Sequence, residues 1–212
     1  MIDFTELPED GVQFEELIRE LFVSDGYETH WTGVGQDQSR DLVVIEKLEG
    51  PISSYSRKWL IECKHKAHSN RSVGLHDLNS ITSACEAVGA EGFLLACSTQ
   101  PSSSLVRHLK EIQQNNDLFT LYWDAIEIEK RLSKPNNFHL VELFLPKSSR
   151  KTGWKIYNSL SPSFWASHYK DYFLYLSSRD AVTFPDLKDV EKIINKIEKV
   201  KLPDDHYLRP RP

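Results

Sequence analysis

Apolar residues recur at two different periods along the first part of the chain, and each period predicts an element. In GVQFEELIRELFVS, residues 11–24, Phe14, Leu17, Ile18, Leu21 and Phe22 stand at helical spacing, so this segment is an amphipathic helix. The stripe centres near Phe14 and Ile18, which leaves Glu15 at the edge of the buried face and turns Glu16 and Glu20 away from it. Asp25 and Gly26 end the helix, glycine being favoured just past a C-terminus. A strand follows over residues 27–32, then the turn-rich GVGQDQSR, then a second strand DLVVIEK that opens on Asp41 and puts Asp41, Val43 and Ile45 on one face. Gly33 and Gly35 lack the third glycine and following helix of a phosphate-binding loop.

Residues 48–57, LEGPISSYSR, read as a hairpin loop into a third strand centred on KWLIECKHK, Lys58 to Lys66. Alternation there puts Leu60, Glu62 and Lys64 on one face and Trp59, Ile61 and Cys63 on the other. A carboxylate and an ammonium two apart on an otherwise apolar strand must neutralise each other or face a functional cleft, since isolated buried charges are costly. Further along, the pattern predicts a helix over residues 72–89, a buried strand from Gly92 to Cys97 and a helix after Pro101. A strand from Leu118 to Trp123 and a short helix AIEIEKRL complete the series. This alternation implies an α/β layer with a mixed, partly parallel sheet. Trp123 and Asp124 read as strand-end packing and a helix N-cap.

Residues 133–153 lose the pattern in KPNN and PKSSRKTG and read as a linker or boundary. Residues 154–212 read as a helical C-terminal extension leading to a further domain. It holds the aromatic run FWASHYKDYFLYL and the amphipathic DVEKIINKIEKVK.

Composition narrows the class without naming an activity. The 212 residues, 40% hydrophobic and 27% charged, are ordinary for a globular protein. No apolar run nears the roughly 20 residues of a membrane span, and the acidic start MIDFTELPED is unlike a signal peptide, so the expected location is cytoplasmic. Cys63, Cys85 and Cys97 are odd in number and widely spaced, which fits reduced thiols. The net charge of −5 argues mildly against nucleic acid, yet Arg57, Lys58, Lys64, Lys66 and Arg71 make a basic strip interrupted only by Glu62.

Glu15, Asp41, Glu62 and Lys64 thus stand at a helix edge, a strand start and a strand face, with Asp41 and Glu62 a hairpin apart. Oxygen donors of this kind suit a hard cation such as Mg²⁺. FEELIRELFVSDGYETH, GQDQSRDLVV and WLIECKHK together resemble the Mrr-type branch of the PD-(D/E)xK nucleases, which have the restriction-endonuclease-like fold, a central mixed β-sheet flanked by helices. GFLLACST and LYWDAIEIEKRL are similar to that family's closing half, so the resemblance spans about residues 11–132.

The resemblance implies a nuclease domain over residues 1–132 whose catalytic set is Glu15, Asp41, Glu62 and Lys64. Asp41, Glu62 and the Cys63 carbonyl would hold Mg²⁺ or Mn²⁺, with Glu15 serving a second metal or an outer-shell water. Lys64 would orient the attacking water and stabilise the developing charge. Arg40, Lys58, Lys66 and Arg71 are the candidate DNA contacts. The family's aspartate-glycine-glycine-hydrophobic-aspartate run is here Asp37, Gln38, Ser39, Arg40, Asp41, which loses both glycines and leaves Asp37 as an auxiliary acid. Glu62 stands where many members have glutamine and adds an anionic ligand.

The implied activity is metal-dependent hydrolysis of double-stranded DNA in restriction or anti-phage defence. Cutting both strands needs two active sites, hence a homodimer or higher oligomer. A catalytically weak DNA-binding module and an effector released by an attached sensor are the competing readings. A zinc site from Cys63, His65 and His68 with His76 is the rival chemistry.

Overall fold

A strand buried on both faces needs a helical layer on each side of its sheet. Trp59, Leu60 and Ile61, consecutive and all buried, meet that condition. The computed structural model describes residues 2–31, 42–158, 164–178 and 186–200. A 3-10 turn, Phe4–Glu6, leads to helix α1 (Val12–Ser24) and strand β1 (Glu28–Trp31). Strands β2 (Leu42–Glu49) and β3 (Ser54–Lys64) follow, then α2 (Ile81–Val88), β4 (Gly92–Cys97), α3 (Ser103–Asn115), β5 (Phe119–Trp123) and α4 (Ala125–Leu132). The five strands form one sheet in chain order, antiparallel from β1 to β3 and parallel from β3 to β5.

One face of this sheet packs Leu42, Val44, Trp59, Ile61, Leu94 and Ala96 against Phe14, Leu17, Ile18 and Leu21 of α1, with Ile128 and Leu132 of α4. The opposite face packs Val43, Leu60, Phe93, Leu95 and Cys97 against Ile81 and Cys85 of α2 and Leu105, Leu109 and Ile112 of α3. Helical spacing on α1 and α3 thus accounts for both layers. Gly26, at φ 87°, turns the chain after α1, and the Tyr27 amide donates to the Phe22 carbonyl at 2.9 Å. Gly92 has a different task. A Cβ there would lie 2.4 Å from the Trp59 ring, so the missing side chain lets the indole lie across β4.

Several elements depart from the periodicity. The hairpin after residue 47 is a long ladder with only Gly50–Ser53 as its turn, closed by the Gly50 amide on the Ser53 carbonyl at 3.0 Å. Its arms stand in solvent, so they need no apolar alternation. The helix expected from residue 72 begins only at Ile81. Before it, Val73 bridges Pro101, and Leu75–Asp77 forms a 3-10 turn in which the Asp77 carboxylate accepts from the Gly74 amide at 2.8 Å. Ser80 then caps α2.

Where a linker was expected, residues 133–153 hold α5 (Phe138–Phe144) and α6 (Pro146–Thr152). Phe138, Leu140, Val141 and Leu145 join the α1-side core, and buried Asn137 donates to the Asp25 carboxylate at 2.9 Å and the Arg131 carbonyl at 3.1 Å. Each helix has seven residues, too short for a 3.6-residue period to stand out. Among its described residues, the extension expected to be helical is mainly β. Strands β6 (Trp154–Asn158), β7 (Phe164–Tyr169) and β8 (Tyr172–Ser177) form an antiparallel sheet, followed by α7 (Leu187–Ile197). Aromatic residues favour strands, and the inward set Trp154, Ile156, Trp165 and Leu176 joins the same core with Leu187 of α7.

Candidate active site

Beyond Leu60 the face of β3 that meets α2 and α3 changes from apolar to ionic. Glu62 and Lys64 continue that face, opposite Leu95 and Cys97 of β4, and Glu62 Oε1 lies 2.9 Å from Lys64 Nζ. Their side chains are 15% and 28% exposed, so the pair is sheltered from bulk water yet open at the strand end. The pair sits where the parallel strands end at their C-termini, the usual place for a ligand in an α/β sheet.

The first turn of α1 approaches the same strand end from the other layer. Phe14 stacks on His65, the residue after Lys64, with ring centroids 5.3 Å apart. Glu15, next to Phe14, is half-buried in that turn, and its amide donates to the Gly11 carbonyl at 3.0 Å. Glu15, Glu62 and Lys64 are therefore carried by elements that meet at one end of β3. Asp37, Arg40 and Asp41 lie outside the described residues. Leu42, which follows Asp41, pairs with Ile61, which precedes Glu62.

The three candidate DNA contacts among the described residues, Lys58, Lys66 and Arg71, have different surroundings. Lys66 Nζ is engaged by the Asp77 carboxylate, which folds the 3-10 turn against the exit of β3. Burial alone would raise the Asp77 carboxyl, but hydrogen bonds from Lys66 and the Gly74 amide outweigh it and hold the group below the usual carboxylate range. Lys58 Nζ donates to the Val88 carbonyl at 3.1 Å, at the C-terminus of α2. Six residues separate it from Lys64, roughly 20 Å along the strand. Arg71 is exposed and lines a cavity of about 500 Å³ with Asn70, Ser98, Thr99 and Gln100 beyond the end of β4.

His65 and His68 serve packing, while His76 is exposed. The His65 ring lies 3.0 Å from Ser98 Oγ through Nδ1, and His68 Nε2 lies 2.7 Å from the Leu7 carbonyl. Burial, followed by the neighbouring His68, pushes His65 below the usual imidazole range, so it is neutral at pH 7. Among the described residues no three His, Cys, Asp or Glu side chains gather as a metal site, which leaves the zinc reading without support there. Trp123 and Asp124 take the expected roles. Trp123 stacks on Phe22 at 4.8 Å, and the Asp124 carboxylate accepts from the Glu127 amide at 2.9 Å.

Ser98 is the organising residue that periodicity does not single out. It is buried, and its Oγ accepts from the Lys66 amide at 2.8 Å and the Ala67 amide at 3.1 Å. Those donors leave the ladder as the chain exits β3, and an unpaired buried amide is costly. The serine ending the buried run GFLLAC was the available signal.

No curated protein sequence matches this chain. Among solved structures, it is similar to one titled DNA modification-dependent restriction endonuclease AspBHI, at 14% identity and a TM-score of 0.44. That match covers 71% of this chain and 43% of the other, so the chain corresponds to less than half of that protein. The Mrr_cat restriction endonuclease family matches residues 8–114, a span that runs from before α1 to the last turn of α3 and contains the whole of β3 with its Glu62–Lys64 pair. The match takes in half of the chain, which therefore belongs to the Mrr_cat family of restriction endonucleases.

Proposed function

We propose that the chain is a divalent-metal-dependent endonuclease that hydrolyses phosphodiester bonds of double-stranded DNA, with Glu62, Lys64, Asp41 and Glu15 as its working residues. The observation that carries this reading is the sheltered Glu62–Lys64 pair, 2.9 Å apart at the C-terminal end of β3, inside the family-matched segment. The donor set suits a hard cation, because it offers carboxylate oxygens and a backbone carbonyl and no soft ligand. Glu62, Asp41 and the Cys63 carbonyl are the proposed holders of Mg²⁺ or Mn²⁺, and Glu15 an outer-shell group. When bound, such a cation polarises a phosphoryl oxygen and lowers the pKa of a coordinated water.

The chain's own residues supply orientation and charge. Lys64 carries three N–H donors and, among the described residues, one is directed to Glu62, so the ammonium is held in place and can also donate to a water and a phosphate oxygen. Glu62 limits where that ammonium can swing, and the packed sheet beneath it excludes bulk water from one side. The proposed setting is restriction or anti-phage defence, with double-stranded DNA as substrate and a second copy supplying the cut on the other strand.

Supercoiled plasmid tests the proposal. Wild-type protein should nick or linearise it with Mg²⁺ or Mn²⁺ and not with chelator, and Glu62→Gln should lose the activity while keeping its circular dichroism spectrum. Cleavage that survives chelator, or is unchanged in Glu62→Gln, would reject the assignment. Metal-independent retention of duplex without cleavage would instead mark a DNA-binding module.

A further inference from the structure

Among the described residues, one face of the small sheet is exposed and aromatic. Alternation through the β6-β7-β8 register directs Lys155, His168 and Phe173 outward in one row, Tyr157, Ala166 and Tyr175 in the next, and Phe164 with Ser177 in the third. Tyr157, Phe173 and Tyr175 are 52%, 59% and 67% exposed, although the sheet's other face is packed into the core. These rings are ordered against one another. Phe164 stacks on Tyr175 with centroids 5.4 Å apart, and Phe173 meets Tyr175 edge-on at 5.6 Å. Single exposed hydrophobics are ordinary, whereas contiguous aromatic groups mark an interaction surface. Ala166, between Tyr157 and Tyr175, leaves a trough floored by a methyl group, with its walls two strand spacings, roughly 10 Å, apart.

Charge indicates what such a surface would take. From Pro146 to Asn158 the chain carries Lys147, Arg150, Lys151 and Lys155 and no carboxylate of its own, within a protein of net charge −5, while Asp3 and Glu6 lie beside Lys147 at the start of α6. The outward rows add His168 and again no acid. Flat rings beside Lys155, with no carboxylate in the outward rows, match a polyanion whose own flat groups are free to stack, since unpaired bases stack on aromatic side chains while the backbone follows a basic groove. A protein partner of matching apolar character would have no need of this charge bias. We infer that the outer face of the β6-β7-β8 sheet is a binding platform for unpaired nucleobases of a single-stranded nucleic acid, with Tyr175, Phe173 and Tyr157 as stacking residues and Lys155 as a backbone contact. The inference stands apart from the nuclease assignment, because binding here needs neither Glu62 nor a cation.

Fluorescence anisotropy with the full chain in chelator tests it, using short labelled oligothymidylate, oligouridylate and a duplex of the same length. The single strands should bind more tightly than the duplex does to this face, and Tyr175→Ala should weaken them by about 5- to 150-fold, the loss of one stacked base. Phe173→Ala combined with Tyr175→Ala should weaken them further, Tyr175→Trp should restore binding, and thermal unfolding should hardly move because these rings are exposed. Equal losses on the two oligonucleotides would assign recognition to base stacking, and a larger loss on one would assign that nucleic acid. Unchanged affinity in the double variant would overturn the inference. So would a wild-type dimer that Tyr175→Ala dissociates without any loss of oligonucleotide binding.

Discussion

Strand β3 carries two acid–base clusters of similar exposure, and they differ in what surrounds them. Towards its N-terminal end, Arg57 lies 3.7 Å from the Glu46 carboxylate, which also accepts from the Trp59 indole at 2.9 Å. The Arg57 guanidinium sits over the Phe119 ring at 3.9 Å and near the Trp59 ring at 5.8 Å. Rings, partner strand and indole donor enclose that cluster, and it holds β2, β3 and β5 together. At the C-terminal end, Glu62 and Lys64 meet beyond the last core residue of their face, where the strand leaves the sheet and α1 arrives. A charge pair is thus not evidence of chemistry by itself, and what separates the two is whether packed side chains or an open strand end face the charges.

The comparison can be broken first at its architectural end. Trp59→Ala should cost about 3–5 kcal/mol of folding stability in urea denaturation, because it removes a buried indole and the partner of Glu46. Gly92→Ala should cost about 1–3 kcal/mol by pressing a methyl into that indole. Both losses should appear without any metal or DNA. The Lys66–Asp77 pair sharpens the middle ground. Asp77→Asn should cost about 1–3 kcal/mol at neutral pH. Because the folded Asp77 carboxyl titrates below its ordinary value near 3.8, its contribution is complete above that value and is lost as pH falls through the lower folded one. The stability gap between wild type and Asp77→Asn should therefore close as pH falls below about 4, as read by denaturation at a series of pH values.

At the proposed catalytic end, Glu15→Gln should slow plasmid nicking by about 10- to 100-fold, the range for outer-shell groups, while Glu16→Gln on the solvent side of α1 leaves the rate alone. The smallest effect separates the basic residues. Arg71→Ala should lower the salt slope of DNA binding by about 1, whereas Lys58→Ala, whose ammonium is turned to the Val88 carbonyl, should leave the slope unchanged.

Much of this contrast is legible in the sequence where local periodicity decides the outcome. Phe14 to Phe22 specify α1, Gly92 to Cys97 is the fully buried β4, and Ala125 to Leu132 is α4. Glu62 and Lys64 declare themselves because alternation puts them on the same face as buried Leu60. Contacts between distant segments are less legible. Asp77, eleven residues from Lys66, holds that ammonium in a structural pair, and no spacing rule distinguishes it from a lysine awaiting phosphate. Asn137 fixes α5 through Asp25, more than a hundred residues away, which is why KPNN looks like a linker. The aromatic run after Phe164 misleads for another reason. In β8 its inward and outward residues are both large, so the two-residue period of a strand is hidden until the core is seen to take one set and solvent the other.

The most direct measurement is the plasmid cleavage rate of Lys64→Ala beside Arg57→Ala, each with its thermal unfolding curve. If the chemistry lies at the C-terminal end of β3, Lys64→Ala slows cleavage by about 10²- to 10³-fold and leaves unfolding nearly unmoved. Arg57→Ala then lowers the unfolding temperature and leaves the rate of the folded protein intact. Wild-type cleavage by Lys64→Ala would contradict the account, and the two ion pairs of β3 would then both be architecture.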